Sequence, residues 1–204
     1  GESVSKVPLA GGEEILRQQT NYPEQGSVEL TVNPRKSREF AVAVRIPAWS
    51  KITMVTVNGQ AVADVRPGSY LTVSRTWKEG DKIALNFDMR GRLTELNGYQ
   101  AIERGPVVLA RDTRLGEGFV DETCVVQTSG GYVELMPVTD KPAGVWMAFS
   151  APMKLGTDTE GRAAGIVQVP LCDFASAGNT WHPAVRYRVW LRRTFDPISD
   201  PWVE

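Results

Sequence analysis

His182 is the one histidine in 204 residues, and imidazole is the side chain best suited to act as base, acid or metal ligand near neutral pH. It lies in NTWHPAVRYRVWLRR (residues 179–193), which also carries two of the six tryptophans and four arginines. Placed between Trp181 and Pro183 with no nucleophile nearby in sequence, His182 reads as a loop residue. Ser176, in FASAG, is one glycine short of the elbow that exposes a hydrolase serine, and no helix follows it. Asp158, Glu160 and Gly161 in TDTEGR supply part of an alternating calcium loop but no closing bidentate glutamate, so an Asp/Gly turn is the better reading. A glycosidase needs two carboxylates across the scissile bond; the 24 acidic residues offer candidates, and no spacing pairs them. Neither GxGxxG nor GxxxxGK[ST] is present.

Cys124 and Cys172 lie far apart, without a CxxC spacing or a second pair, so the sequence assigns no metal site. They read as two buried free thiols, with a disulfide as the alternative in an oxidising compartment. The remaining chemistry-bearing side chains are aromatic and cationic: Trp49, Trp77, Tyr99, Trp181, Arg186, Arg188 and Trp190. Exposed rings stack on sugars, whereas buried ones fill sandwich cores and domain interfaces. These seven are therefore candidates for carbohydrate binding or for an interface with another domain.

The elements that must position these residues are strands. In FAVAVRI, Phe40, Val42, Val44 and Ile46 alternate with Ala41, Ala43 and Arg45, as on a half-buried antiparallel strand. Val28, Leu30 and Val32 repeat the pattern, as do Ile83, Leu85 and Phe87. Asn58-Gly59 predicts a type I′ hairpin, and Glu79-Gly80-Asp81 a second turn. Pro34, Pro47, Pro67 and Pro106 fall at strand ends, where a missing N–H breaks no ladder. Eight to nine short strands in the first half have the rhythm of a β-sandwich. Further strands are expected at 123–128, 132–136, 145–150, 166–170 and 185–193, with a long loop over 151–165. In the last strand, Val185, Tyr187, Val189 and Leu191 would face one way and Arg186, Arg188, Trp190 and Arg192 the other.

The expected fold is all-β, two consecutive antiparallel β-sandwich (jelly-roll-like) domains, 1–117 and 118–204, the boundary lying in the glycine-interrupted stretch 115–120. A single larger domain is the alternative. With 23 Lys+Arg against 24 Asp+Glu and a formal charge of -1, the composition offers no broad attraction for nucleic acid or anionic membranes. No run approaches the roughly 18 apolar residues of a membrane helix. The initial Gly1 reads as a processing product or an expression scar, with natural sequence expected upstream.

Several stretches, in order, resemble the region that follows the catalytic barrel in the β-L-arabinofuranosidase family, glycoside hydrolase family 127 and relatives. They are QTNYPEQGSVELTVNP (19–34), FAVAVRIPAWS (40–50), VTVNGQAV (55–62), GSYLTVSRTWKEGDKIALNF (68–87), AIERGPVVLA (101–110) and VPLCDFASAGNTWHPAVRYRVWL (169–191). VSKVPLAGG (4–12) resembles the first strand and turn after that barrel. Two departures stand out: Glu24 occupies a position the family commonly fills with tryptophan, and the loop ASAGNTWHP is longer than in typical members.

The resemblance implies an (α/α)₆ barrel followed by two sandwiches, of which only the sandwiches are in this sequence. It places the family's cysteine nucleophile, its glutamate acid/base and its zinc site on the barrel, so no residue here inherits a catalytic, cofactor or metal role. The implied parent is a glycoside hydrolase removing β-L-arabinofuranosyl or related sugars, and this part of it is expected to be inactive alone. The implied partners are the upstream barrel, a second copy of the chain and a plant-type glycan. Polysaccharide degradation suggests, by analogy alone, a periplasmic or extracellular setting.

Overall fold

The computed structural model describes residues 1–9, 12–116, 119–156 and 165–193. Asp158, Glu160 and Gly161 lie outside them, as does Trp202. The regular structure of the described residues is antiparallel strand apart from one 3-10 turn, as the alternation predicts, and the chain falls into two compact units, Gly1–Met89 and Arg90–Glu204.

The first unit holds β1 (Glu2–Leu9), β2 (Gly12–Thr20), β3 (Ser27–Asn33), β4 (Arg38–Arg45), β5 (Met54–Val57), β6 (Gln60–Ala61), β7 (Tyr70–Trp77) and β8 (Asp81–Asn86). Six form one sheet in the order β1-β2-β3-β8-β5-β6, and β4 pairs with β7 in a second. One core joins the two: Val42, Val44 and Trp77 from the small sheet meet Val32, Val55, Val57, Ile83 and Leu85 from the large one, with Ile46. Side-chain alternation puts these residues on facing surfaces, and removing their apolar area from water holds the layers together. Trp77, expected among surface candidates, is fully buried, and its indole N–H donates to the Phe40 carbonyl at 2.9 Å. Its parity explains this, since it shares a face of β7 with the partly buried Leu71 and Val73.

Asn58-Gly59 forms its predicted turn with φ of 50° and 80°, and Val57 pairs with Gln60. The turn is tied to β8: Asn58 Nδ2 donates to Asp81 at 2.8 Å, and the Lys82 N–H donates to Asn58 Oδ1 at 2.8 Å. Asp81 also accepts from the Lys78 N–H at 2.9 Å. Burial would raise the Asp81 carboxyl, but these bonds together with the charges of Arg75 and Lys78 hold it below the usual carboxylate value.

The second unit holds β9 (Gly91–Leu96), β10 (Tyr99–Arg104), β11 (Val107–Asp112), a 3-10 turn (Thr113–Leu115), β12 (Cys124–Val126), β13 (Met136–Pro137), β14 (Ala148–Leu155), β15 (Ile166–Asp173), β16 (Tyr187–Arg188) and β17 (Leu191–Arg192). The main path is β12-β14-β15-β11-β10-β17, with β9 on β10, β13 on β14 and β16 on β11. Ile102, Leu109, Val126, Val133, Met153, Val169, Leu171 and Leu191 anchor its core. Gln100, fully buried, bridges to β12: its Nε2 donates to the Cys124 carbonyl at 3.1 Å and its Oε1 accepts from the Val126 N–H at 3.0 Å. A side-chain amide here does what a neighbouring strand's backbone would do.

Several expectations change, among them the strand expected at 132–136, where only isolated bridges at Tyr132 and Val133 and the two-residue β13 form. The units divide after Met89 rather than near 117, because β11 pairs with β15 and β16 and β10 with β17, which draws residues 91–112 into the second sheet. Residues 151–155, expected as loop, complete β14, whose register against β15 runs from Ala148↔Cys172 to Lys154↔Ile166. The single strand expected at 185–193 is two short ones separated by a bend at Val189 and Trp190, the first pairing with β11 and the second with β10. Tyr187, assigned by alternation to an inward face with Leu191, is 40% exposed, while Leu191 is buried.

Candidate functional site: an aromatic and cationic surface on the second unit

Two carboxylates at strand ends organise this surface. Asp112 closes β11 and accepts from the Arg114 N–H at 2.8 Å, from Arg114 Nε at 3.0 Å and from its Nη2 at 2.7 Å. The Gly178 N–H adds a bond at 2.9 Å. The Asp112 side chain is fully buried and that of Arg114 is 11% exposed. Burial would raise the Asp112 carboxyl, yet the bonds from Arg114 and Gly178 hold it below the ordinary value, while Arg114 is pushed above its own, first by the bond to Asp112. Arg114 reaches on to Asn179 Oδ1 at 2.6 Å and the Ser176 carbonyl at 2.6 Å.

Asp173 ends β15 in the same way. Its carboxylate accepts from the Ser176 N–H at 2.9 Å, the Ser176 hydroxyl at 2.7 Å and the Met147 N–H at 2.9 Å. Ser176 is 4% exposed and bonded to a carboxylate, so it is a structural pin of the turn. Asn179 completes the attachment by donating to the Gly144 carbonyl at 2.9 Å. Gly178 has φ of +65°, and a Cβ there would stand 2.7 Å from the Tyr187 ring. Only glycine satisfies both the left-handed backbone and the ring packed on it.

What this network holds out to solvent is a set of rings. Trp181 is 92% exposed and sits at φ of +54°, an uncommon conformation for a bulky residue that the anchored loop enforces. The Thr113 N–H donates to the Arg186 carbonyl at 3.0 Å and the Arg186 N–H to Thr113 Oγ1 at 3.1 Å, which fixes the chain after the loop. Trp181, His182 and Arg186 line a cleft of about 440 Å³, and Tyr99, Arg188 and Trp190 one of about 430 Å³. Phe174 and Tyr187, whose ring centroids are 6.1 Å apart, line both.

Five of the seven candidates read from sequence, Tyr99, Trp181, Arg186, Arg188 and Trp190, therefore line these two clefts. Trp77 is in the first unit's core. Trp49 is in the first unit as well, half-buried beside Tyr22 and Phe87, with ring centroids 6.4 and 5.7 Å away; with them it lines a cleft of about 570 Å³. Sequence reasoning did not find Phe174, Tyr187, Asp112 or Arg114. The Asp-x-x-Ser spacing of Asp173 and Ser176 and the Asp-x-Arg of Asp112 and Arg114 carry the capping signal that could have pointed to the anchored loop.

The groups suited to catalysis are engaged otherwise. His182 is exposed, with Nδ1 accepting from the Ala184 N–H at 3.2 Å. Cys124 and Cys172 are buried free thiols. Burial pushes Cys124 up to about 11, and burial with the charges of Asp112 and Asp173 pushes Cys172 up to about 12, so neither is a thiolate near neutral pH. Among the described residues no group of three or more His, Cys, Asp or Glu could hold a metal ion, and no helix is long and apolar enough to cross a membrane.

Residues 3–89, almost the whole of the first unit, match the family model for the GH127 middle domain of β-L-arabinofuranosidase. The first unit is thus similar to this middle domain along nearly its whole length. The GH127 likeness extends in fold over the rest of the chain. A solved structure described as a glycoside hydrolase is 28% identical, covered over 94% of this chain and 34% of its own, with a TM-score of 0.76. A GH127 β-L-arabinofuranosidase from Geobacillus stearothermophilus T6 shares the fold at 23% identity, 93% and 32% coverage and a TM-score of 0.73. Another GH127 β-arabinofuranosidase does so at 21% identity, 95% and 34% coverage and a TM-score of 0.72. No curated protein matches the chain. The chain spans about a third of the length of the solved structures it matches.

Proposed function

We propose that the chain is the non-catalytic C-terminal part of a larger glycoside hydrolase, which packs on and stabilises an (α/α)₆ catalytic barrel. The observation that carries this reading is the family match over residues 3–89, continued by a fold likeness that covers 94% of this chain within a glycoside hydrolase about three times as long. The parent enzyme removes terminal β-L-arabinofuranosyl or related residues from glycans, and its nucleophile, acid/base and zinc ligands belong to the barrel. The chain's own thiols, both buried and protonated near neutral pH, fit a part that performs no nucleophilic step.

The test is to produce the barrel encoded upstream with and without residues 1–204 and to compare thermal melting and sedimentation. The barrel lacking this region should melt at a lower temperature or aggregate, and adding the separately produced chain should raise the melting point. A barrel with unchanged melting and no association with the chain contradicts the proposal. A second reading, independent glycan binding, is favoured by one specific observation: the exposed rings held on the second unit's anchored loop.

A further inference from the structure

We propose that the two adjoining clefts of the second unit bind an anionic glycan, a chain of pyranose rings bearing carboxylates. Four rings are presented there: Trp181 is 92% exposed, Phe174 50%, Trp190 42% and Tyr187 40%. The C–H face of a sugar ring stacks on such a surface, and a contiguous set of exposed rings marks an interaction or ligand site. Their presentation is fixed in advance, since Trp181 follows a loop pinned by the buried Asp112–Arg114 pair and by Asn179. Preorganisation of this kind lowers the ordering cost of binding. Clefts of about 430 and 440 Å³ are within the size of small-ligand sites, and the shared Phe174 and Tyr187 rings allow one chain to continue from one to the other.

The charge of the lining selects the class of glycan. Arg186 and His182 line one cleft, and Arg188 and Arg192 the other. Among the described lining residues Asp121 is the sole carboxylate, and it is already bonded to Arg188. Arg186 donates to the carbonyls of Pro183 and Val185, and among the described residues no carboxylate pairs with it. Guanidinium groups recognise carboxylates through paired, charge-assisted bonds. A neutral sugar would instead call for acceptors, which this lining supplies sparsely. The preference for a sugar over another ring-bearing polyanion rests on the glycoside hydrolase reading above.

The experiment is calorimetric titration of the 204-residue chain with tri-α-1,4-galacturonate, with the neutral trigalactoside and with a single-stranded oligonucleotide, at low salt and at high salt. The expected result is saturable binding of the triuronate at least ten-fold tighter than of either other probe, weakened by salt. Trp181→Ala should weaken it at least ten-fold with an unchanged melting curve, because the side chain is in solvent. Arg186→Gln should bring the triuronate to the affinity of the neutral sugar, which provides a second variant should the first misfold. No saturable triuronate binding, equal affinity for the neutral sugar, equal or tighter oligonucleotide binding, or wild-type affinity in both variants overturns the proposal. Hydrolysis and barrel association are measured separately, so triuronate binding without barrel association removes the accessory reading alone, and barrel association without triuronate binding removes this one.

Discussion

Replacing Asp112 by alanine should loosen the loop that carries Trp181 and destabilise the second unit. The carboxylate accepts four bonds from Arg114 and one from Gly178, with no exposure of its own side chain and 11% for Arg114. Removing one partner of a buried pair costs about 3–5 kcal/mol, against about 0–1 for a surface pair. Arg114 keeps Asn179 and the Ser176 carbonyl, so the loss should fall near the lower end, about 3 kcal/mol. Urea unfolding of wild type, Asp112→Ala, Arg114→Ala and the double variant gives the coupling, expected at about 1–3 kcal/mol. Hydrogen exchange should lose protection in peptides spanning 107–115 and 173–186. The sign with pH follows from the lowered carboxyl: the pair's stabilisation is present above the unfolded value of about 3.9 and lost as pH falls through the folded one, so the variant's deficit should shrink toward pH 2. A deficit below about 0.5 kcal/mol at pH 7, or unchanged exchange in both peptides, would show that the pair does not anchor the loop.

Asp81, also held low after its burial cost is overcome, should give the first unit an acid-sensitive stability. Asp81→Asn should flatten the fall in melting temperature between pH 4 and pH 2, and an unchanged slope counts against it. Gln100→Leu keeps the volume but strands the buried Cys124 carbonyl and Val126 N–H, so urea unfolding should show a loss of about 2–6 kcal/mol, the sum of two unmet groups; a neutral change contradicts the bridging role. Cys124 and Cys172, buried and pushed up to about 11 and about 12, should resist a disulfide reagent at pH 8 while the protein is folded and react fully in urea. Rapid reaction of either thiol in the native protein contradicts this.

Where information is local, the sequence is readable. Alternation over Phe40–Ile46 places Val42, Val44 and Ile46 in the core, and the positive-φ demand at Asn58-Gly59 sets a hairpin. Trp77 was equally legible, since counting by twos from Leu71 and Val73 buries it. What is not legible is partnership. The strands of 91–112 continue the same rhythm as those before them, and only their bonds to strands some 60 to 100 positions later assign them to the second sheet. The bend at Val189 and Trp190 likewise depends on β16 and β17 joining different neighbours, and it turns Tyr187 outward against the alternation. The two-cleft surface follows from that bend and from Asp112, a residue whose role appears only once Gly178 is brought beside it.

The decisive measurement is hydrolysis of an aryl β-L-arabinofuranoside, with zinc and reductant present, by the 204-residue chain alone and by the same chain attached to the (α/α)₆ barrel proposed to precede it. If the chain is a non-catalytic part, the aryl group should be released only when the barrel is present. Turnover by the chain alone, abolished by one substitution among its own residues, would contradict it.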